Sequence, residues 1–367
     1  MNILYLTTHL NTGGITSYIL TLAKGMKQKG HNVYVASSGG ELAAKLLEAG
    51  VTNFNIPIKT KQEFSPKVFV SLFKLLKFAK ENNIDIIHSN TRVTQVLGFF
   101  LGALSRRAYI STCHGFFKGR FFRKIFPCWG KKVIAISEPV REHLVKDFGV
   151  RADNIRLIHN GIDTERFKYK AARSRESLKR DLGLEDGPVV GTIGRLSDVK
   201  GHIYLVEAMK TVLEKAPGAK LLIVGEGNME KELKAMSLKL GIEKNICFLA
   251  GVPDTAEILS VMDVFAMPSL NEGLGLSLME AMSMGLAVVG SSVGGIKSLI
   301  KPGYNGLLVG AADSRGLAGA ILELFGDRAK AESLGRNARE FVRQNFSQDK
   351  MIQETVEVYS ACLKESS

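Results

Sequence analysis

Short apolar runs separated by helix-length amphipathic segments recur along almost the whole chain, and this alternation leaves little choice of fold. A strand buried on both faces reads as a continuous apolar run. Strands joined through helices run parallel, because each crossover returns the chain to the end it started from. Ile3–Thr7, Val33–Ser37, Ile84–His88, Ala108–Thr112 and Val133–Ile136 predict a first parallel sheet. A polar, charge-dense stretch from about Asp163 to Gly187 interrupts the rhythm and reads as an interdomain connection. The pattern restarts with Val189–Ile193, Leu221–Val224, Ile246–Leu249, Val264–Met267 and Ala287–Val289, and Ser314 to Leu363 is helical sequence. The 367 residues suffice for two domains of ordinary size. The expected class is α/β, with two Rossmann-like domains facing one another across a cleft and ligands at the carboxyl ends of the strands.

Composition narrows the setting. Hydrophobic residues make up 45% of the chain, enough to fill two cores. The sequence opens on a strand-like run rather than a basic segment followed by an apolar one, so no secretory leader is expected. The longest uninterrupted apolar stretch, Val96 to Leu104, falls far short of the roughly 20 residues a spanning helix needs. A cytoplasmic protein is the expectation. Cys113, Cys128, Cys247 and Cys362 are scattered without metal-ligand spacing and read as reduced thiols. The charge is uneven: residues 1–150 hold 21 Lys and Arg against 8 Asp and Glu, the whole of the net +13, and the remainder holds 28 of each. The N-terminal part should therefore face something anionic.

Three motifs follow predicted strands. Gly13-Gly14 lies between Ile3–Thr8 and a helix starting near Ile15, where glycines let backbone amides approach an anion. It is also what a plain strand-to-helix turn looks like, and no GxGxxG accompanies it. Gly194-Arg195-Leu196 and Lys200-Gly201 follow Val189–Ile193; the planar fork of Arg195 and the compact charge of Lys200 suit a diphosphate, although two surface cations are common. The third stretch runs from Ser269 to Met282. There Glu272 sits in a glycine-rich loop, and Glu280 falls about one turn into a helix beginning near Leu276. Amides at Gly273, Leu274, Gly275 and Leu276 offer donors to phosphate, and the carboxylates can accept from sugar hydroxyls. Glu280 has apolar helical neighbours, so a bland surface role fits it poorly.

Glu272 and Glu280 reproduce the E-x7-E spacing of the retaining glycosyltransferases of family 4, which have the two-domain GT-B fold. The sequence resembles that family along nearly its whole length. Gly13-Gly14, His114-Gly115, Ala135-Ile136-Ser137-Glu138, Asn160-Gly161-Ile162-Asp163, Gly194-Arg195-Leu196 with Lys200-Gly201, and Val224-Gly225-Glu226-Gly227 occur in the family's order. The resemblance implies an acceptor-binding domain over 1–165 and a nucleotide-sugar-binding domain over 166–345. It also implies a C-terminal helix, 346–367, returning to the first domain. Arg195 and Lys200 would bind the donor diphosphate, Glu280 the ribose and Glu272 the transferred sugar. Gly14 would approach the phosphates across the cleft, with the Gly275 and Gly225 loops nearby. Gly251-Val252 would hold the base through backbone contacts, and His114 would lie near the anomeric carbon. Asn271 departs from the family, which often has a tyrosine there.

The chemistry needs a stabilised leaving diphosphate and an oriented acceptor hydroxyl. Arg195, Lys200 and helix dipoles can supply the first, and the sequence has no DxD motif, so no metal and no cofactor is expected. No carboxylate is obviously placed as a nucleophile. The resemblance implies same-face attack, in which the departing phosphate helps to deprotonate the acceptor.

Segment Gly115 to Gly130 packs five phenylalanines, the only tryptophan and four cations into sixteen residues. Phe116, Phe117, Lys118, Arg120, Phe121, Phe122, Arg123 and Lys124 are the expected contacts to an anionic membrane or lipid-linked glycan acceptor. The alternative is that the aromatics pack the core. His88 is a further candidate, capping its strand or lining the acceptor side. Pro66 to Lys80 is a second amphipathic candidate, with Val68, Leu72, Leu75, Leu76 and Ala79 on a mainly core face and Lys67, Lys74 and Lys77 on the other, Val70 and Phe78 among them. A nucleotide-sugar epimerase or phosphorylase would suit the same fold. Nucleic acid is not expected as a partner, because no helix-turn-helix, RNP-like or zinc pattern accompanies the basic charge.

Overall fold

The computed structural model describes residues 1–117, 123, 125–167, 174–185, 187–252 and 254–365. The chain folds as two compact units, residues 1–161 with 348–367 and residues 162–347. Each is built on an all-parallel sheet. In the first unit β1 (Asn2–Leu6), β2 (Asn32–Ser37), β3 (Thr52–Asn55), β4 (Ile86–Ser89), β5 (Ala108–Cys113), β6 (Lys132–Ala135) and β7 (Ile155–Leu157) lie in the order β3-β2-β1-β4-β5-β6-β7. In the second, β8 (Val189–Ile193), β9 (Lys220–Val224), β10 (Ile246–Leu249), β11 (Val264–Met267), β12 (Ala287–Ser291) and β13 (Leu307–Val309) lie in the order β10-β9-β8-β11-β12-β13. In both, the winding reverses beside the first strand, which is the doubly wound arrangement.

The predicted strands are present with small shifts at their ends, and three others were not anticipated. These are β3, β7 and β13, each at a sheet edge. Edge strands are covered less completely, so β3 (TNFN) and β7 (IRL) carry polar residues, while β13 is apolar but only three residues long. The stretch expected to be a plain connection also contains structure. Helix Arg175–Asp181 starts on Ser174, whose hydroxyl accepts from the Ser177 amide, and Arg175 binds Asp263 at 2.6 Å, within the second unit.

Side chains alternate across the first sheet. Ile3 and Tyr5 point to one core with Ile86, Ile110 and Ile134; Leu4 and Leu6 point to the other with Ile87 and Tyr109. The first core is closed by helices Gly14–Gln28 and Gln348–Lys364, so the end of the chain forms part of the first unit. Their approach is close at Gly25, where a Cβ would lie 2.0 Å from Ile352 Cδ1. Within this core Tyr359 is fully buried, its hydroxyl 3.1 Å from that of Tyr5 and 2.6 Å from His88 Nδ1, while His88 Nε2 lies 2.6 Å from the Thr112 hydroxyl. All four cysteines are free. No helix among the described residues is long and apolar enough to cross a membrane.

Tyr359→Phe keeps the ring but removes one partner of His88 and Tyr5, and should destabilise the first unit by about 1–2 kcal/mol. Tyr359→Ala should cost about 3–5 kcal/mol. Urea unfolding followed through Trp129, the only tryptophan and a first-unit residue, reads this unit's transition. Equal midpoints for wild type and both variants would contradict the packing described.

Candidate functional site

In the second unit the winding reverses between β8 and its neighbour β11, leaving a crevice at their carboxyl ends. Two of the predicted motifs lie there. The loop after β8 carries Arg195 and Lys200, and the loop after β11 carries Glu272 and leads into helix Leu276–Met284. They are stitched together by the Leu270 amide, which donates to Val199 O at 2.8 Å, and by the Ser277 hydroxyl, which donates to Ile193 O at 2.8 Å.

Glycine permits this backbone-on-backbone packing. A Cβ at Gly201 would sit 2.2 Å from Pro268 O, one at Gly225 2.0 Å from Gly194 O, and one at Gly295 2.1 Å from Gly273 O. Gly225 therefore has a packing reason of its own for being glycine: it seats the β9 loop under the β8 loop. Gly275, at φ +92, caps the helix that follows, and no acidic residue occupies that helix's first turn. Its free amides and positive dipole end are open to an anion. Gly251 and Val252 follow β10, with open space where a Gly251 side chain would be.

Two of the crevice's charges, Lys200 and Glu272, already satisfy one another. Lys200 Nζ donates to Glu272 Oε2 at 2.5 Å, with Ser269 Oγ 3.4 Å from the same oxygen. Arg195 is exposed and has no ion-pair partner among the described residues. Glu280 accepts from the Thr255 hydroxyl at 2.9 Å. Burial pushes its carboxyl up to about 7, against the lowering effects of the Thr255 bond and the Arg166 charge. Thr255 is a site neighbour that the sequence did not reveal, because a hydroxyl reaching across from the β10 loop leaves no mark in linear spacing. Among the described residues no group of three or more His, Cys, Asp or Glu side chains is arranged to hold a metal ion.

In the first unit, Gly13 and Gly14 are exposed at the start of helix Gly14–Gln28, which has no side-chain cap and no acidic residue in its first turn. His114 follows β5; its Nε2 lies 3.3 Å from Asn90 Oδ1 and its ring meets Tyr18 edge-on at 4.7 Å. Burial holds its imidazole down to about 3, so it is neutral at ordinary pH and acts as a hydrogen-bonding group. Asn90, a further unanticipated neighbour, comes from the end of β4.

One expectation for this unit is corrected. His88 does not line an acceptor surface: it is fully buried, with both ring nitrogens engaged by Tyr359 and Thr112. The described aromatics of segment 115–130 are half-buried and meet other rings. Phe116 meets His143, Phe117 meets Trp129 and Phe148, and Phe126 meets Phe99 and Phe100. Arg123 is paired with Glu63 at 2.8 Å and is mostly buried. Lys118, Arg120, Phe121, Phe122 and Lys124 lie outside the described residues.

Comparison with known proteins agrees with this geometry. Residues 12–166 match the family described as Glycosyltransferase Family 4, and residues 174–341 match Glycosyl transferases group 1. An uncharacterized glycosyltransferase of Methanocaldococcus jannaschii is 28% identical over 96% of this chain and 95% of its own. The Escherichia coli UDP-Gal:alpha-D-GlcNAc-diphosphoundecaprenol alpha-1,3-galactosyltransferase is 28% identical over 85% of this chain and 84% of its own. Among solved structures, Anabaena HepE in complex with UDP and glucose superposes with a TM-score of 0.88 at 26% identity, covering 98% of this chain and 99% of that one. With two parallel-sheet units, a polar crevice at the β8–β11 reversal and family matches over both units, the chain belongs to the family 4 glycosyltransferases and has the GT-B fold.

Proposed function

We propose that the enzyme moves a hexosyl or related sugar from a UDP-sugar to a lipid-linked or envelope glycan acceptor, with retention at the anomeric carbon and without a metal. The observation that carries this reading is the paired Lys200–Glu272 beside the unpaired Arg195 and the open helix start at Gly275. A diphosphate sugar replaces both halves of the pair at once. Its phosphates take Lys200, Arg195 and the amides of Gly273 to Leu276, and its sugar hydroxyls take Glu272. Glu280 receives the ribose, and Gly251-Val252 the base. In the reaction the bond from C1 to the diphosphate breaks and the acceptor oxygen bonds C1 on the same face. The acceptor proton passes to the departing phosphate oxygen. The first unit's Gly13-Gly14 turn and neutral His114 are assigned to phosphate and sugar oxygens.

Support for the donor comes from HepE, whose structures are described as complexes with UDP and glucose and with UDP-glucose. Support for the acceptor comes from the Escherichia coli relative, whose name specifies a diphosphoundecaprenol-linked sugar. The net +13 of residues 1–150 suits work at an anionic membrane surface. The setting we infer is the inner face of the cell membrane, in envelope polysaccharide or glycolipid synthesis.

Screening nucleotide sugars by thermal shift in the presence of a chelator tests the reading directly, since a bound donor stabilises the fold. Lys200→Ala should then lower kcat/KM about a hundredfold through lost charge-assisted bonds to the diphosphate. No stabilisation by any UDP-sugar, together with an unaffected Lys200→Ala, would sink it.

The ion pair makes a less obvious prediction. UDP alone must strip Lys200 from Glu272 and leave that carboxylate without its partner. Glu272→Gln should therefore bind UDP about fivefold more tightly, roughly 1 kcal/mol, while binding the UDP-sugar less well. Calorimetry on both ligands checks it; parallel weakening of the two would disprove the competition.

Glu280 predicts a pH dependence. Below about 7 its carboxyl is neutral and above that it is ionised, accepting hydroxyl bonds more strongly. UDP-sugar affinity should rise between about pH 6 and about pH 8, and Glu280→Gln should flatten the profile. An identical slope in that variant would remove Glu280 from the ribose site.

A further inference from the structure

Helix Pro66–Glu81 has two apolar sides. Val68, Ser71, Leu72, Leu75 and Ala79 are buried against the sheet, and Phe78 turns inward onto Tyr34 and Phe54. The opposite face should be polar throughout. Instead Phe73 is 71% exposed, Val70 48% and Phe69 43%, with Phe64 just before the helix at 48%. Phe69 and Phe73 are one turn apart, so their rings share a stripe, which Lys77 and Lys80 continue. Lys67 and Lys74 flank it. The patch extends beyond the helix: Phe64 contacts Phe126, and the neighbouring Ile125 is 64% exposed. Carboxylates do little to neutralise this face. Glu81 is paired with Lys77 at 3.8 Å, and Glu63 is taken by Arg92 and Arg123.

A contiguous exposed apolar patch needs an occupant. Lysine is depleted at protein–protein interface cores, which argues against a protein partner. A second copy would bring two unneutralised lysine sets together. A bilayer rich in anionic lipid accepts both components: rings enter the boundary between headgroups and acyl chains, and lysines snorkel to the phosphates. We propose that the outward face of helix Pro66–Glu81, centred on Phe69 and Phe73, seats the first unit on an anionic membrane surface. The inference builds on the membrane-linked acceptor proposed above and centres the contact on this helix, with Ile125 of segment 115–130 at its edge.

Sedimentation of the full-length protein with extruded vesicles tests it. Binding is expected to mixed phosphatidylglycerol–phosphatidylcholine vesicles, to weaken with salt, and to be slight on phosphatidylcholine alone. The paired substitutions F69S/F73S should lower the partition coefficient at least about tenfold. K74E/K77E should abolish the salt-sensitive part. These side chains are exposed, so both variants should keep the wild-type melting temperature and the wild-type affinity for UDP. Equal vesicle binding by wild type and F69S/F73S would overturn the proposal, as would no binding by the wild type. So would a dimer in light scattering that F69S/F73S dissolves, which would assign the face to a second copy. A wild type that binds vesicles through these residues yet transfers no sugar would refute the acceptor reading and leave this face standing.

Discussion

A parallel sheet covered by helices on both faces is open to a ligand only at the ends of its strands, and both units are built on such sheets. The carboxyl ends matter most, because loops leading into helices bring free amides there. In the second unit β8 and β11 are neighbours whose helices leave in opposite directions, so the loops after them diverge and leave a crevice. Everything assigned to the donor follows from that divergence. Lys200 and Glu272 are 72 positions apart in sequence, yet the two loops bring them into a short ion pair. Gly201, Gly225 and Gly295 hold the loops close enough by allowing backbone to touch backbone, where any side chain would meet a carbonyl oxygen.

That crevice balances two of its own charges and leaves Arg195 over. A partly buried ammonium or carboxylate without a partner is unfavourable, so the pairing of Lys200 with Glu272 stabilises the crevice. It also sets a condition on what can bind. A ligand with phosphate alone frees one charge and strands the other, whereas a phosphate joined to a polyol satisfies both. Glu280 solves the same problem differently: with a single hydroxyl partner in Thr255, it lies closer to neutrality than an exposed carboxylate. On the proposed reading, discrimination in favour of a sugar nucleotide would therefore arise from the cost of breaking the Lys200–Glu272 pair, in addition to contacts made in the complex.

The strands of both sheet centres were legible because burial on two faces demands continuous apolar sequence, as in Val189–Ile193. β3 and β7 were not, because an edge admits polar residues, and β13 is too short to stand out; the edge strand β10 was legible because it stays apolar. The positions of Arg195, Lys200, Glu272 and Glu280 were legible as loops and a helix after strands. What escaped was how side chains meet across loops. Thr255 with Glu280 and Asn90 with His114 are contacts of tertiary structure, and no spacing along the chain encodes them. His88 was misplaced for a related reason. A histidine at the end of a strand looks available to a ligand until Tyr359, 271 positions away, is seen bonded to it.

The aromatic residues of the first unit make the same point about composition. Segment 115–130 is by far the richer in rings and cations, yet its described members have found partners: Phe117 with Trp129 and Phe148, Phe126 with Phe99 and Phe100, Arg123 with Glu63. Helix Pro66–Glu81 is less conspicuous, but its periodicity places one set of apolar residues on the sheet and leaves Phe69, Val70 and Phe73 on the far side. A helix buries one stripe of about 100° against a sheet, so a second apolar stripe cannot be satisfied by the same packing. Density of aromatic residues thus reflects how much core a segment builds. Residual exposure, after the core has taken what it needs, is what identifies a surface meant to meet something else. On that criterion Phe69, Val70 and Phe73, with Lys74, Lys77 and Lys80 beside them, mark one helix face.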